Sequence, residues 1–162
     1  MKKVLIISAS DSEIEIMKEA GKVLDEFGVE YELTISSAHR SPDRTTQLVD
    51  EFQKSQGKVI ICGAGLAAHL AGVVAAHFPL PVIGIPLGSG PLNGVDAFLA
   101  TLQMPSGIPV ATVGINNAKN AGLLAVQILA TADKNLEEKM IAYKKKLADG
   151  VEEKAKKLKE QV

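Results

Sequence analysis

The sequence predicts a three-layer α/β/α sandwich built on a parallel sheet of five strands. Three observations predict it. Short runs rich in Val, Ile and Leu recur at 3–7, 30–35, 58–62, 81–85 and 109–113, and such runs are buried parallel strands when helices separate them. The segments between them repeat apolar residues at helical spacing. Glycine or proline marks most of the junctions.

The first run holds Val4, Leu5, Ile6 and Ile7. Behind it Ile14, Met17, Ala20, Val23, Leu24 and Phe27 form a stripe spaced three and four apart, and Gly28 is placed to stop that helix. The second run alternates through Tyr31, Leu33 and Ile35; a helix then starts near Pro42 and carries Leu48, Val49 and Phe52. The third run ends at Cys62, with a helix expected over 66–76. The fourth precedes a helix over 95–102. The fifth leads into 118–132, so rich in Ala and Leu that a buried helix is expected. Strands and helices alternating in this way wind with right-handed crossovers into a flavodoxin-like or Rossmann-like sheet.

Residues 1–133 therefore read as a single α/β domain and 134–162 as a long C-terminal helical arm of it. In that arm Leu136, Met140, Tyr143, Leu147, Val151 and Leu158 line one face of a strongly charged helix, with an interruption expected at Gly150. The sheet is complete by this point, so the stripe needs cover from elsewhere. Two readings stand: the helix lies across its own domain, or it packs on a neighbouring subunit.

Composition narrows the function. At 162 residues, 46% hydrophobic and 23% charged, the chain has the makings of one ordinary globular domain. A net charge of -1 provides no general attraction to nucleic acid or to an anionic membrane, and neither is expected as a partner. The single cysteine, Cys62, rules out an intramolecular disulfide and a cysteine-rich metal site, and fits a reducing cytoplasm. Met1-Lys2-Lys3 has the charge of a signal peptide, but the apolar run after it is too short. No stretch approaches the roughly 20 apolar residues of a membrane span. Aromatic residues are only 4% of the chain, which disfavours a flavin carrier.

Four loops follow predicted strands and converge on one edge of the sheet, where open α/β proteins bind ligands. In the first, Ser8, Ser10, Asp11 and Ser12 open a helix. They suit a phosphate and a sugar hydroxyl, or they simply cap the helix. In the second, Ser36-Ser37-Ala38-His39-Arg40-Ser41-Pro42, Arg40 can hold a phosphate in bidentate fashion and His39 can move a proton near neutral pH; a solvated His-Arg pair is the alternative. The third, Gly63-Ala64-Gly65-Leu66-Ala67-Ala68-His69, spells G-x-G-x-x-A. It lies in the third unit, and the first later acid is Asp96, so the glycines read as a close approach to a small ligand rather than a dinucleotide fingerprint. His69 is expected to be a helix residue bonded to neighbouring loops. The fourth region, 86–96 with 103–109, is made of rigid Gly and Pro turns in which Met104 packs, and Asn116, Asn117 and Asn120 read as helix caps. The sequence carries no metal-ligand spacing, Walker loop or G-x-S-x-G elbow.

Ser37-Ala38-His39-Arg40-Ser41-Pro42, Gly63-Ala64-Gly65-Leu66-Ala67-Ala68-His69-Leu70 and Gln103-Met104-Pro105-Ser106-Gly107-Ile108-Pro109-Val110-Ala111-Thr112-Val113 stand together in this order. The chain thereby resembles the N5-carboxyaminoimidazole ribonucleotide mutase family of purine biosynthesis, also called the phosphoribosylaminoimidazole carboxylase catalytic subunit, class I. The likeness runs from Lys3 through the C-terminal helix.

The resemblance implies an isomerase that moves a carboxylate from the exocyclic nitrogen of the ribonucleotide to ring carbon 4, with no metal, ATP or organic cofactor. It implies His39 as the catalytic acid and base. Ser8, Ser10 and Asp11 match the family's nucleotide loop, and Ser37, Ala38 and Arg40 its phosphate side. Gly63, Ala64, Gly65, Leu66, Ala67, His69 and Leu70 match the loop that closes over the imidazole. It also implies a cytoplasmic homo-octamer with sites between subunits, which favours the subunit-packing reading of the C-terminal helix. The chain departs from the family pattern at Ile7, where glycine is usual, at Ser12 and at Ala71, and the stretch from Asp11 to Met17 is longer than usual. A Cβ at position 7 is expected to hold the first loop's backbone away from a ligand. Arg40 and the Ala67-Ala68-His69-Leu70 run favour the mutase over direct carboxylation of aminoimidazole ribonucleotide with CO2. A non-catalytic nucleotide-binding paralogue is the remaining alternative.

Overall fold

A computed structural model gives the structure of residues 1–161. The strands are Val4–Ser8 (β1), Tyr31–Ile35 (β2), Val59–Gly65 (β3), Val82–Leu87 (β4) and Ala111–Thr112 (β5). They form one parallel sheet in the order β2-β1-β3-β4-β5, with Ile6 between Leu33 and Ile61 in register. The helices are Ile14–Phe27 (α1), Pro42–Lys54 (α2), Leu70–His77 (α3), Val95–Leu102 (α4), Ala118–Ala130 (α5) and Lys134–Lys159 (α6), and a 3-10 turn, Asp11–Glu13, precedes α1. The chain forms two compact units, Met1–Ala125 with the sheet and a second from Val126 on.

In the first unit the period-two alternation of β1 sorts its side chains to two faces. Leu5 and Ile7 join Ile60, Cys62 and Ala64 of β3 in a cluster with Val49 and Phe52 of α2 and Leu70, Ala71 and Val74 of α3. Val4, Ile6 and Ile61 are equally buried, as are Met17, Ala20 and Leu24 of α1. Each of the buried Val, Leu, Ile, Phe and Met side chains among them stabilises the fold by about 1.5–3 kcal/mol on leaving water. The chain builds outward from β1 to β2, then crosses back to β3 and continues the other way. The loops after β1 and β3 therefore diverge, leaving a crevice at the carboxyl edge.

Several boundaries differ from the sequence reading, each for a local reason. The third strand runs on through Gly63, Ala64 and Gly65, because Ala64 and Gly65 pair with Pro86 and Leu87. The following helix starts at Leu70 rather than 66: Leu66 has φ +53°, a left-handed conformation that no α-helix contains. The last strand shrinks to Ala111 and Thr112, paired with Ile83 and Gly84; Pro109 has no N–H to extend it. Gly28, at φ +73°, ends α1 as expected.

In the second unit Asp133 caps α6, accepting from the N–H groups of Asn135 and Leu136. The expected interruption at Gly150 is absent, and α6 runs unbroken to Lys159. One interior glycine costs only about 1 kcal/mol relative to alanine, and the flanking residues are good helix formers. Lys156, Lys157 and Lys159 stand in its last turn, where the helix dipole favours cations. Leu147, Val151 and Leu158 are 55%, 66% and 63% exposed, so much of the apolar stripe is open in this chain. Among the described residues no helix is long and apolar enough to cross a membrane.

Candidate functional site

The loops after β1, β2, β3 and β4 meet around a cavity of about 620 Å³. It is lined by residues 9–13, 37–40, 64–67 and 69–70, with Ser89. All of these belong to the first unit.

His39 and Arg40 sit on the turn between β2 and α2, and hydroxyl groups fix that turn. Ser41 Oγ accepts from the Ser37 N–H at 3.2 Å and donates to the Ser37 carbonyl at 3.1 Å. Arg40 N–H donates to Ser37 Oγ at 3.2 Å. Beneath them the buried Ser36 and Thr45 hydroxyls are 2.8 Å apart. These bonds leave the His39 and Arg40 side chains free to face the cavity. One Arg40 Nη lies 3.5 Å from the Ala9 carbonyl, bringing the second loop against the first.

His69, the residue before α3, faces His39. Nε2 of His39 is 2.9 Å from Nδ1 of His69, and the rings meet at 84° with centroids 4.9 Å apart. The expected bond from His69 to a neighbouring loop is thus a bond to the other site histidine. Ala64, Gly65, Leu66, Ala67 and Leu70 line the cavity beside it.

The structure brings most of the sequence-predicted site residues together: Ser10, Asp11, Ser37, Ala38, His39, Arg40, Ala64, Gly65, Leu66, Ala67, His69 and Leu70 all line the cavity. Ser8 and Gly63 lie beneath it. Ser8 is fully buried and donates its hydroxyl to the Ser10 carbonyl at 2.7 Å. Gly63 is a buried strand residue whose Cβ, if present, would lie 2.2 Å from Met17 Sδ. Ile7 belongs to the core cluster and does not line the cavity, so its Cβ obstructs no ligand.

Ala9, Glu13 and Ser89 also line the cavity and were not read as site residues from the sequence. Ser10-Asp11-Ser12-Glu13 has the S-x-x-E pattern of a helix start, a signal that marks Glu13. Its reciprocal form is not made here; Ser10 Oγ instead donates to Glu13 Oε2 at 3.1 Å and lies 2.7 Å from Ser12 Oγ. Asp11 is exposed, and its Oδ1 accepts from the Ser12 N–H at 3.0 Å. Ser89 follows β4 at the same sheet edge as the other loops.

Among the described residues no three His, Cys, Asp or Glu side chains converge as a metal site would require. Cys62 is 1% exposed in β3 and burial pushes its thiol pKa up, so it is held as the unreactive thiol. The cavity thus offers one guanidinium, an imidazole pair, carboxylates and several hydroxyls. That set can hold a small phosphorylated ligand and transfer a proton.

Sheet order and crevice together define a doubly wound α/β protein whose carboxyl-edge cavity carries an imidazole pair. The chain belongs to the AIR carboxylase family, whose model matches residues 3–150. It is 53% identical over 155 residues to the N5-carboxyaminoimidazole ribonucleotide mutase of Pyrococcus horikoshii, covering 96% of this chain and 88% of that one. Over 158 residues it is 49% identical to the Thermotoga maritima protein of the same name, covering 98% and 92%. The crystal structure of Treponema denticola PurE superposes with a TM-score of 0.89 at 31% identity, covering 96% of this chain and 97% of that chain.

Proposed function

We propose that this protein converts N5-carboxyaminoimidazole ribonucleotide to 4-carboxy-5-aminoimidazole ribonucleotide in purine biosynthesis. The observation that carries the reading is the placement of His39 on the wall of a family-type pocket, beside His69 and one residue from Arg40. The N–CO2 bond breaks as protonated His39 delivers its proton to the exocyclic nitrogen, giving aminoimidazole ribonucleotide and CO2. Ring carbon 4 then attacks the CO2, and His39, now neutral, takes the proton from that carbon. The proton returns to where it began, so one imidazole serves both steps and the reaction is a net isomerisation.

Arg40 binds the phosphate with its guanidinium, and the Ser37 turn holds Arg40 in position. Ser10 supplies a hydroxyl at the first loop. The apolar side chains of Ala38, Ala64 and Leu70 form a dry wall that retains CO2 between the two steps. The exposed stripe of α6 packs on a second copy in a homo-octamer, and the protein works in the cytoplasm, where the lone thiol of Cys62 stays reduced.

The test supplies N5-carboxyaminoimidazole ribonucleotide without ATP or added metal and follows the ring-carboxylated product. The expected result is stoichiometric conversion. Binding without turnover would leave a nucleotide-binding protein instead. Product formed only from aminoimidazole ribonucleotide and bicarbonate would replace the mutase with a carboxylase.

A further inference from the structure

Among the described residues Gln56, Leu66, Asn93 and Asn116 hold a left-handed backbone without being glycine. The other three carry carboxamides. Leu66, at φ +53°, is bulky and apolar, and of the four it alone lines the cavity. Such a conformation is unfavourable for an L side chain and persists only where its surroundings enforce it, most often at working sites. Here they do: Gly65 before it pairs with Leu87, and the Leu66 carbonyl accepts from the Ala68 N–H at 2.9 Å. The turn sends the Leu66 side chain across to the loop after β4. A Cβ on Gly90 would lie 2.4 Å from Leu66 Cδ2, so the leucine occupies a notch that only glycine leaves open. One residue earlier on each loop, a Cβ on Gly65 would lie 1.9 Å from Ser89 Oγ. The two loops thus interlock at successive positions. The receiving loop is itself anchored, because the Gly88 N–H donates to Asn116 Oδ1 at 2.7 Å. Leu66 stays 52% exposed, which places it at the mouth of the cavity and not in the core.

A half-exposed leucine held in a strained turn adds little to the core, so its place calls for another reason. CO2 carries no net charge for Arg40 or the imidazoles to grip, and only packed apolar surface keeps it near the ring. Ala38, Ala64 and Leu70 supply one such surface; where the loops after β3 and β4 meet, the large apolar side chain is Leu66. From this geometry we infer that Leu66, seated in the Gly90 notch, seals the gap between these loops and keeps the released CO2 from exchanging with dissolved CO2. The inference rests on the mutase reading above. It assigns Leu66 to the fate of the CO2 and not to the proton transfers of His39.

The test supplies unlabelled N5-carboxyaminoimidazole ribonucleotide to excess enzyme in carbon-13 bicarbonate with carbonic anhydrase, and mass spectrometry reads the label in the ring carboxylate after one turnover. The wild type should place little label there. Leu66→Asn suits the left-handed turn, since asparagine adopts it readily, and removes only the apolar seal. Its label should rise about tenfold, the factor by which seating half a leucine side chain holds the gap closed. Gly90→Ala, which pushes Leu66 from its notch, should leak in the same way, while Leu66→Met stays near the wild type. Label in Leu66→Asn no higher than in the wild type overturns the inference, and so does a Gly90→Ala protein that stays sealed. A wild type that fully exchanges its CO2 while still making product overturns it with the mutase reading intact. A wild type that makes no product overturns that reading and the inference with it.

Discussion

His39 and His69 share a hydrogen bond across the mouth of the cavity, 2.9 Å from Nε2 to Nδ1, although 30 positions separate them in sequence. The bond needs an N–H on one ring and a lone pair on the other, so it ties the tautomer of His39 to that of His69. Two fully protonated rings would lose the bond and repel one another.

His39→Asn should keep the fold and abolish measurable turnover. A positioned acid–base group contributes about 100- to 10,000-fold in rate, and here one group serves two steps. The exposed imidazole adds little packing, so the melting temperature should stay near wild type. His69→Ala should lower kcat less than His39→Asn and change the pH profile, because it removes the partner that orients His39. A His69→Ala protein with wild-type kcat and pH profile would show that the contact has no catalytic role.

Gly63→Ala should destabilise without entering the cavity. The added methyl meets Met17 Sδ at 2.2 Å in a closed strand-helix contact, and overpacking of this kind costs about 1–3 kcal/mol. Urea unfolding should show a lower midpoint with an unchanged m-value.

Cys62 gives a pH prediction with a definite sign. Burial raises its pKa in the folded chain, so the folded state holds the thiol proton after the unfolded chain releases it. Stability is therefore full below the ordinary thiol pKa, about 8.5, and declines above it by about 1.4 kcal/mol per pH unit. Cys62→Ala should remove that decline between pH 8.5 and 9.5, measured by chemical denaturation. The native thiol should also stay unlabelled by a disulfide reagent until the chain unfolds.

The sheet was legible in the sequence because its strands are short apolar runs and its helices carry unbroken stripes. The cavity was half legible. Ser37, His39 and Arg40 follow a strand directly, and the position of a strand end could be read. What escaped depended on contacts between segments far apart in sequence. The glycine run 63–65 looked like a loop, yet pairing with β4 makes it strand. Ser8 read as a ligand residue because it opens the loop after the first strand, yet it is fully buried and its hydroxyl donates to the Ser10 carbonyl. Glu13 lay past the residues taken as the loop, and only the 3-10 turn brings it round to Gly65. Gly150 looked like a break because local propensity was weighed without the strong helix formers on either side.

That unbroken helix supplies another prediction. A Cβ at Gly150 would meet nothing within 4 Å. Gly150→Ala should therefore stabilise α6 by about 0.5–1 kcal/mol through helix propensity alone. Increased protection of the α6 amides in hydrogen exchange would report it.

The same helix tests the proposed assembly. Leu147 and Val151 are four residues apart, on one face, and largely exposed in this chain. Continuous apolar surface of this kind is normally covered in the working protein. If a second copy covers it, Leu147→Glu combined with Val151→Glu places two unpaired carboxylates in a subunit contact, where burying an uncompensated charge costs several kcal/mol. Light scattering should then show the octamer falling to smaller species. Because neither residue lies among those lining the cavity, any accompanying loss of turnover would mean that the site depends on the neighbouring subunit. A double variant that remains octameric would show that the stripe is not an assembly surface.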